Sequence, residues 1–154
     1  MKVEQMPLDG TDRRIISEIK RSSAGSYRKI AVRVGIHPAT LIERLKRLER
    51  EKVILGYTAF IDYSKLGYEY MATIQVRISK GKMLDVQTKI SKLKGVVSVY
   101  DVTGDYDSLV RVVCKSRSEL SRLVKKIHAL PGIEHTNTQV ILNVVKDGHD
   151  FVPE

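Results

Sequence analysis

Apolar residues recur along this chain with two periods, and the change comes near residue 57. Before it the period is helical. Ile15, Ile16 and Ile19 mark one side of a segment spanning residues 9–21, with Leu8 placed to staple its start. Tyr27, Ile30, Ala31 and Val34 then recur at i, i+3, i+4 and i+7, so a second helix, capped by Ser26, turns one apolar stripe toward a core. Gly35 can adopt the left-handed conformation that closes a helix. Pro38, with φ preset and no N–H to lose, suits the first turn of the next. On that third helix Leu41, Leu45 and Leu48 share one side, Ala39, Glu43, Lys46, Arg47 and Arg50 lie opposite, and Thr40 and Arg44 stand on the flank. Three short helices hinged in this way form a helix-turn-helix. Its last helix has small residues near the N-terminus, where base edges lie, and cations further along, where phosphates lie.

Beyond residue 57, β-branched runs punctuated by glycine take over. Residues 69–78 alternate, with Ala72, Ile74, Val76 and Ile78 on one face, and Met83, Val86, Ile90 and Leu93 follow at helical spacing until Gly95. A second strand, VVSVYDV, comes next. After the turn at Gly104 the plan repeats, with LVRVVC as a strand, residues 116–119 as a capping box, and Leu120, Leu123, Val124 and Ile127 as a helical stripe. Pro131 and Gly132 stop that helix, and residues 133–145 alternate Thr136, Thr138, Val140, Leu142 and Val144. Two βαβ units joined by a tight turn give β-α-β-β-α-β, an antiparallel ferredoxin-like sheet with both helices on one face. The expected class is therefore α+β, with a helix-turn-helix domain over residues 1–56, a connecting strand or linker over 57–68, and a ferredoxin-like domain over 69–154. Both faces of the strands carry apolar or β-branched residues, so a second copy of the chain is the simplest cover. A homodimer would also pair the DNA readers.

Charge narrows the partner. The chain of 154 residues has a net charge of +9 and a pI near 9.7, which favours a polyanion, while no basic amphipathic helix with exposed Phe or Trp suggests a membrane surface. The excess concentrates on the reader, with 13 Lys and Arg against 7 Asp and Glu through Gly56, and 14 against 11 beyond. Double-stranded DNA is the expected partner. The candidate DNA-facing set is Ser26, Tyr27 and Arg28 at the start of the second helix, with Pro38, Ala39, Thr40, Glu43, Arg44, Lys46 and Arg47 on the third. An apolar content of 42% suffices for a real core, no run is long enough to span a bilayer, and MKVEQMPLDG lacks the apolar centre of a signal peptide, so a cytoplasmic location is expected. Cys114, in an apolar strand, reads as a buried, inert thiol.

Several pieces, in this order and spacing, resemble the Lrp/AsnC (feast/famine) family of transcriptional regulators over almost the whole length. They are Leu8-Asp9 with Asp12, the block IAVRVGIHPATLIERLKRLEREKVILGYTAFID, Leu66-Gly67, Thr103-Gly104-Asp105-Tyr106-Asp107, and Leu130-Pro131-Gly132-Ile133 followed by Thr136-Asn137-Thr138-Gln139-Val140. The resemblance implies a DNA-binding domain followed by a ligand-binding and oligomerisation domain, dimers that often assemble into octamers, and a free amino acid bound between subunits as effector. Carried onto this sequence, the effector site comprises Gly104, Asp105, Tyr106, Asp107, Thr136 and Thr138. The chemistry is compatible: an α-amino acid needs acceptors for its ammonium and N–H or hydroxyl donors for its carboxylate. Two departures stand out. His37 takes the place of a serine that caps the recognition helix in many relatives, and Lys52 replaces a frequent glycine, at a cost of up to about 1 kcal/mol if that position is left-handed.

Other functions fit less well. An RNA-binding sheet of the same topology needs stacking aromatics on its central strands, and VVSVYDVTG and LVRVVC offer only Tyr100. An enzyme needs a phosphate-binding glycine motif, a nucleophile with its base, or metal-ligand spacing. Neither Asp101, Asp105 and Asp107 nor His37, His128, His135 and His149 provide one, so no cofactor or metal is expected. The remaining alternative to a site-specific regulator is a DNA-compacting architectural protein of low sequence specificity.

Overall fold

The computed structural model describes residues 7–21 and 26–147; residues 1–6, 22–25 and 148–154, His149 among them, lie outside that set. The chain divides into two compact units, one formed by residues through Ile61 together with those from Lys146 on, and the other by Asp62–Val145.

The first unit is three helices, α1 (Gly10–Arg21), α2 (Tyr27–Val34) and α3 (Pro38–Arg50). Their apolar stripes meet in one core of Ile15, Ile19, Ile30, Ala31, Val34, Leu41, Leu45 and Leu48, with Leu8, Ile16, Ile36, Val53 and Ile54 packed around it. Each large side chain removed from water there contributes about 1.5–3 kcal/mol. Tyr27 is the exception to the expected stripe: it is 48% exposed, one turn before the core begins. The α2 helix ends where the sequence places its stop. Gly35 is left-handed at φ 75°, its N–H donates to the Val32 carbonyl, and the Ile36 N–H donates to Ala31 while the Ile36 side chain reaches the core. Paired 5→2 and 6→1 bonds with an apolar contact behind them fix the hinge angle of the two helices.

The second unit follows the order β1 (Tyr70–Ile78), α4 (Met83–Ser91), β2 (Val96–Asp101), β3 (Ser108–Cys114), α5 (Arg117–His128) and β4 (Ile133–Ile141), in one antiparallel sheet ordered β2-β3-β1-β4. Alternation decides the faces. Ala72, Ile74, Val76 and Ile78 of β1 join Val110, Val112 and Cys114 of β3 beneath Val86 and Ile90 of α4 and Leu120, Leu123 and Ile127 of α5. Both helices therefore cover one face, and burial pushes the Cys114 thiol up from its ordinary pKa. Gly95, at φ 91° after α4, admits no side chain, because a Cβ would lie 2.9 Å from the Val113 carbonyl oxygen. The α5 cap differs slightly from a reciprocal box. Ser116 accepts from the Glu119 N–H at 3.2 Å, but Glu119 reaches one residue further back, to the Lys115 N–H at 2.7 Å. The last strand is shorter than its alternating sequence, ending at Ile141 opposite Met71, where its partner β1 begins. After α3, residues 55–62 form no strand within the chain, and a 3-10 turn follows at Ser64–Leu66.

Candidate functional site

The face proposed to meet DNA is set by how α3 is fastened. His37 caps it, with Nδ1 accepting from the Ala39 N–H at 3.3 Å. The missing serine hydroxyl is thus replaced by a ring nitrogen. With Leu41, Leu45 and Leu48 buried, Ala39, Thr40, Glu43 and Lys46 are exposed, as are Ser26, Tyr27 and Arg28 at the start of α2, while Pro38 is half-buried. Ser26 also holds α2, accepting from the Lys29 N–H at 3.4 Å.

Arg44 and Arg47 are placed differently from their neighbours. Arg44 Nη1 donates to Asp9 Oδ2 at 2.6 Å and to Asp12 Oδ1 at 2.9 Å, and Arg47 Nη2 donates to Asp12 Oδ2. Asp9 and Asp12 are themselves joined across the first turn of α1: the Asp12 N–H donates to Asp9 Oδ1 at 2.7 Å, and the Asp9 N–H to Asp12 Oδ2 at 3.2 Å. Two carboxylates at a helix N-terminus thereby cap that helix and clamp the flank of α3. Asp12 is buried at 1% exposure, whereas Arg44 and Arg47 keep about a third of their side-chain surface in water. The Arg44 guanidinium, with the N–H groups of the turn, holds the Asp9 carboxyl at about 2. Behind α3, Tyr57 donates to Glu49 Oε1 at 2.7 Å, and burial together with that carboxylate pushes its phenol well up.

In the second unit, the loop from Gly104 to Asp107 is docked on the end of β1. The Asp107 N–H donates to the Val76 carbonyl at 3.0 Å, and its carboxylate accepts from the Ile78 N–H at 2.7 Å, so one residue completes the ladder where β3 has not yet begun. Arg77 Nε and Nη2 both donate to the Asp105 carbonyl, at 2.9 and 2.7 Å. The Arg77 guanidinium also lies 5.6 Å from the Tyr106 ring centre, and that ring stacks on His135, the cross-strand partner of Arg77.

Thr136 and Thr138 pair with Val76 and Ile74, on the helix-facing side of β4. Thr136 Oγ1 lies 3.4 Å from His128 Nδ1 of α5. The threonines and Asp107 therefore flank β1 from opposite neighbours, about 10 Å apart by strand spacing, and the Tyr106 ring sits with Arg77 and His135 on the other face. One chain brings the loop residues together but does not close them over the threonines. Arg77 and His135 hold this loop although the sequence reading did not single them out for it; the signal for Arg77 was its place as the lone cation of an otherwise neutral strand. Among the described residues no group of three or more His, Cys, Asp or Glu could hold a metal, and no helix is long and apolar enough to cross a membrane.

Two family models match this geometry in order. The model of the AsnC-type helix-turn-helix domain matches residues 8–49, and that of the Lrp/AsnC ligand binding domain matches residues 71–151. An HTH-type transcriptional regulator of Pyrococcus furiosus is 38% identical over 148 residues, which is 96% of this chain and 100% of the relative. A transcriptional regulator from Neisseria meningitidis, solved as a complex with L-Met, superposes with a TM-score of 0.85 at 23% identity over 92% of this chain and 94% of that one. A feast or famine regulatory protein from M. tuberculosis complexed with L-methionine gives 0.86 at 23% identity, over 96% and 100%.

Proposed function

We propose that this chain, which belongs to the Lrp/AsnC family of helix-turn-helix transcriptional regulators, reads double-stranded DNA with the exposed face of α3 and takes a small amino acid at the Gly104–Asp107 loop, between two copies of itself. The carrying observation is the division of labour on α3. Arg44 and Arg47 are held by Asp9 and Asp12, which fixes the helix, while Ala39, Thr40, Glu43 and Lys46 are left facing water. Preorganised side chains on a rigid helix suit base-edge contact, and Lys46 suits phosphate. Arg44 and Arg47 then act on DNA mainly by positioning the helix.

The effector reading is supported by the L-methionine complexes of the two structural neighbours and by the loop's chemistry. The loop and the threonines stand apart within one chain, so a ligand touching both calls for a second subunit. A site of that kind couples ligand to assembly through different affinities for two arrangements, and about 1–3 kcal/mol suffices for a useful switch.

Binding to a selected operator duplex tests the reader. Lys46→Ala should weaken it and lower the slope of log K against log salt by about 0.9, as for one lost phosphate, with unchanged folding stability. Equal slopes would remove Lys46 from the interface. A thermal-shift screen against the twenty amino acids tests the effector, since a ligand confined to the folded state raises apparent stability. If none does so at millimolar concentration, the amino-acid reading falls.

A further inference from the structure

The modest charge of the second unit conceals a division. Between Asp62 and Val145 the chain carries 13 Lys and Arg against 8 Asp and Glu, yet residues 80–94 and 115–128 hold ten of those cations and two of the acids. These two segments are α4, α5 and their immediate flanks. A helix layer of net +8 thus covers a body of sheet and loops whose net charge is −3.

All ten cations are exposed. Val86 and Ile90 of α4, with Leu120, Leu123 and Ile127 of α5, occupy the inward positions and leave the outward ones to residues such as Arg117, Arg122, Lys125 and Lys126. The two acids are already engaged: Asp85 pairs with Lys89 at 2.7 Å, and Glu119 is turned back to the Lys115 N–H. Lys115 itself lies 5.2 Å from the Tyr68 ring centre. Among the described residues the other eight cations make no side-chain hydrogen bond or ion pair.

An ordinary solvated helix surface mixes both signs, and the charges offset one another. A layer of one sign attracts polyanions and gains by releasing their counterions. Its other features select the kind of polyanion. Neither segment contains Phe, Tyr or Trp, so nothing there stacks on unpaired bases. Leu84 is the single exposed large apolar side chain of the layer, too little to anchor in lipid. A duplex backbone asks for neither. We infer that the α4/α5 layer is a second, sequence-independent surface for duplex DNA, holding phosphates beyond those met by α3. This rests on α3 as the reader that brings duplex to the protein. A duplex longer than the operator supplies the phosphates, further along the same molecule or from a second segment.

The test uses the full chain with Arg122→Ala, Lys125→Ala and Lys126→Ala combined, all exposed positions whose side chains have no ion-pair or hydrogen-bond partner among the described residues. Binding is measured against salt on a duplex the length of one pair of half-sites and on one several times longer. On the long duplex the triple variant should lose about tenfold or more at low salt, with a slope shallower by about 0.9 per lost phosphate. On the short one it should match the wild type. Equal slopes on the long duplex would overturn the inference, as would a loss confined to phosphatidylserine vesicles or to single-stranded RNA. Lys46→Ala separates the two readings. If wild type ignores the short duplex and Lys46→Ala changes nothing, while the long duplex depends on the three cations, the reader fails and the layer stands. If both lengths respond to Lys46→Ala alone, the layer fails and the reader stands.

Discussion

The two units of this protein handle positive charge in opposite ways. In the first, Arg44 and Arg47 point back to Asp9 and a buried Asp12, so these cations of α3 serve the fold before they serve a partner. In the second, the lysines and arginines of α4 and α5 meet almost no carboxylate and lie open to solvent. Counted along the sequence, the first 56 residues carry twice the net charge of the rest, +6 against +3. The difference lies in the pairing: among the described residues Arg33, Arg44, Arg47 and Arg50 of the first 56 residues are drawn to carboxylates, whereas of the ten cations on the α4/α5 layer only Lys89 is. Net charge along the sequence does not say which cations are free to meet a polyanion; their internal partners do.

The most forceful way to break this comparison is Asp12→Ala. It removes the carboxylate that both arginines share and one half of the α1 cap. The expected loss is about 3 kcal/mol, the low end for a broken buried pair because both arginines keep contact with water. Chemical denaturation measures it. A loss below about 1 kcal/mol would mean that the cluster does not organise the reader. The combined substitution of Arg122, Lys125 and Lys126 should by contrast leave stability within about 0.5 kcal/mol per site, since nothing internal depends on them.

Asp107 gives the next largest effect and sharpens the same distinction for an acid. Asp107→Ala leaves the Ile78 N–H without its acceptor, at a cost of about 1–3 kcal/mol. Asp107→Asn keeps an oxygen in place and should recover most of that loss while removing the charge. The asparagine variant is therefore the one that isolates a role in ligand binding. Lost amino-acid response at near wild-type stability would assign that role to the charge, whereas a retained response would take Asp107 out of the site.

A pH measurement probes the reader's cluster more gently. Asp9 is held at about 2, below its ordinary 3.8, chiefly by the hydrogen bond from Arg44. As pH falls the unfolded chain takes up this proton first, so the stabilisation present above 3.8 is lost progressively as pH drops through about 2. In Asp9→Asn the acid limb of the stability profile should be flatter over that interval. An unchanged limb would show that the Arg44 contact does not persist in solution.

The sequence made the helices and strands legible because each buried stripe repeats with its element's period, from Ile15 and Ile19 in α1 to Val110 and Val112 in β3. It also exposed the stops, since Gly35 and Gly95 sit where only glycine fits without strain. The destinations of long side chains were not legible. A helical wheel gives the direction in which Arg44 leaves α3, but not its reach to an aspartate 35 residues earlier. The clamp of Arg77, Tyr106 and His135 was hidden for a related reason: it depends on cross-strand register between β1 and β4, and a loop's docking is not periodic. His37 keeps the capping place of the usual serine because any acceptor at that position serves.

Lys52 carries the smallest expected effect and the one most fully anticipated. Among the described residues it is the single non-glycine with positive φ, at 56°. It closes α3 as Gly35 closes α2: its N–H donates to the Glu49 carbonyl at 3.0 Å, the Val53 N–H donates to Leu48 at 2.9 Å, and Val53 packs on the core. This Schellman arrangement demands a left-handed residue, and lysine pays a steric penalty there that glycine avoids. Glycine gives part of that back through its larger unfolded-state freedom. Lys52→Gly should therefore stabilise the reader by no more than about 1 kcal/mol, which raises the melting temperature of a small domain by a few degrees. Lys52→Ala keeps the strain and removes only the charge, so it should leave stability close to the wild type. If alanine and glycine stabilise equally, relief of like-charge repulsion in this basic unit explains the gain, and backbone strain does not.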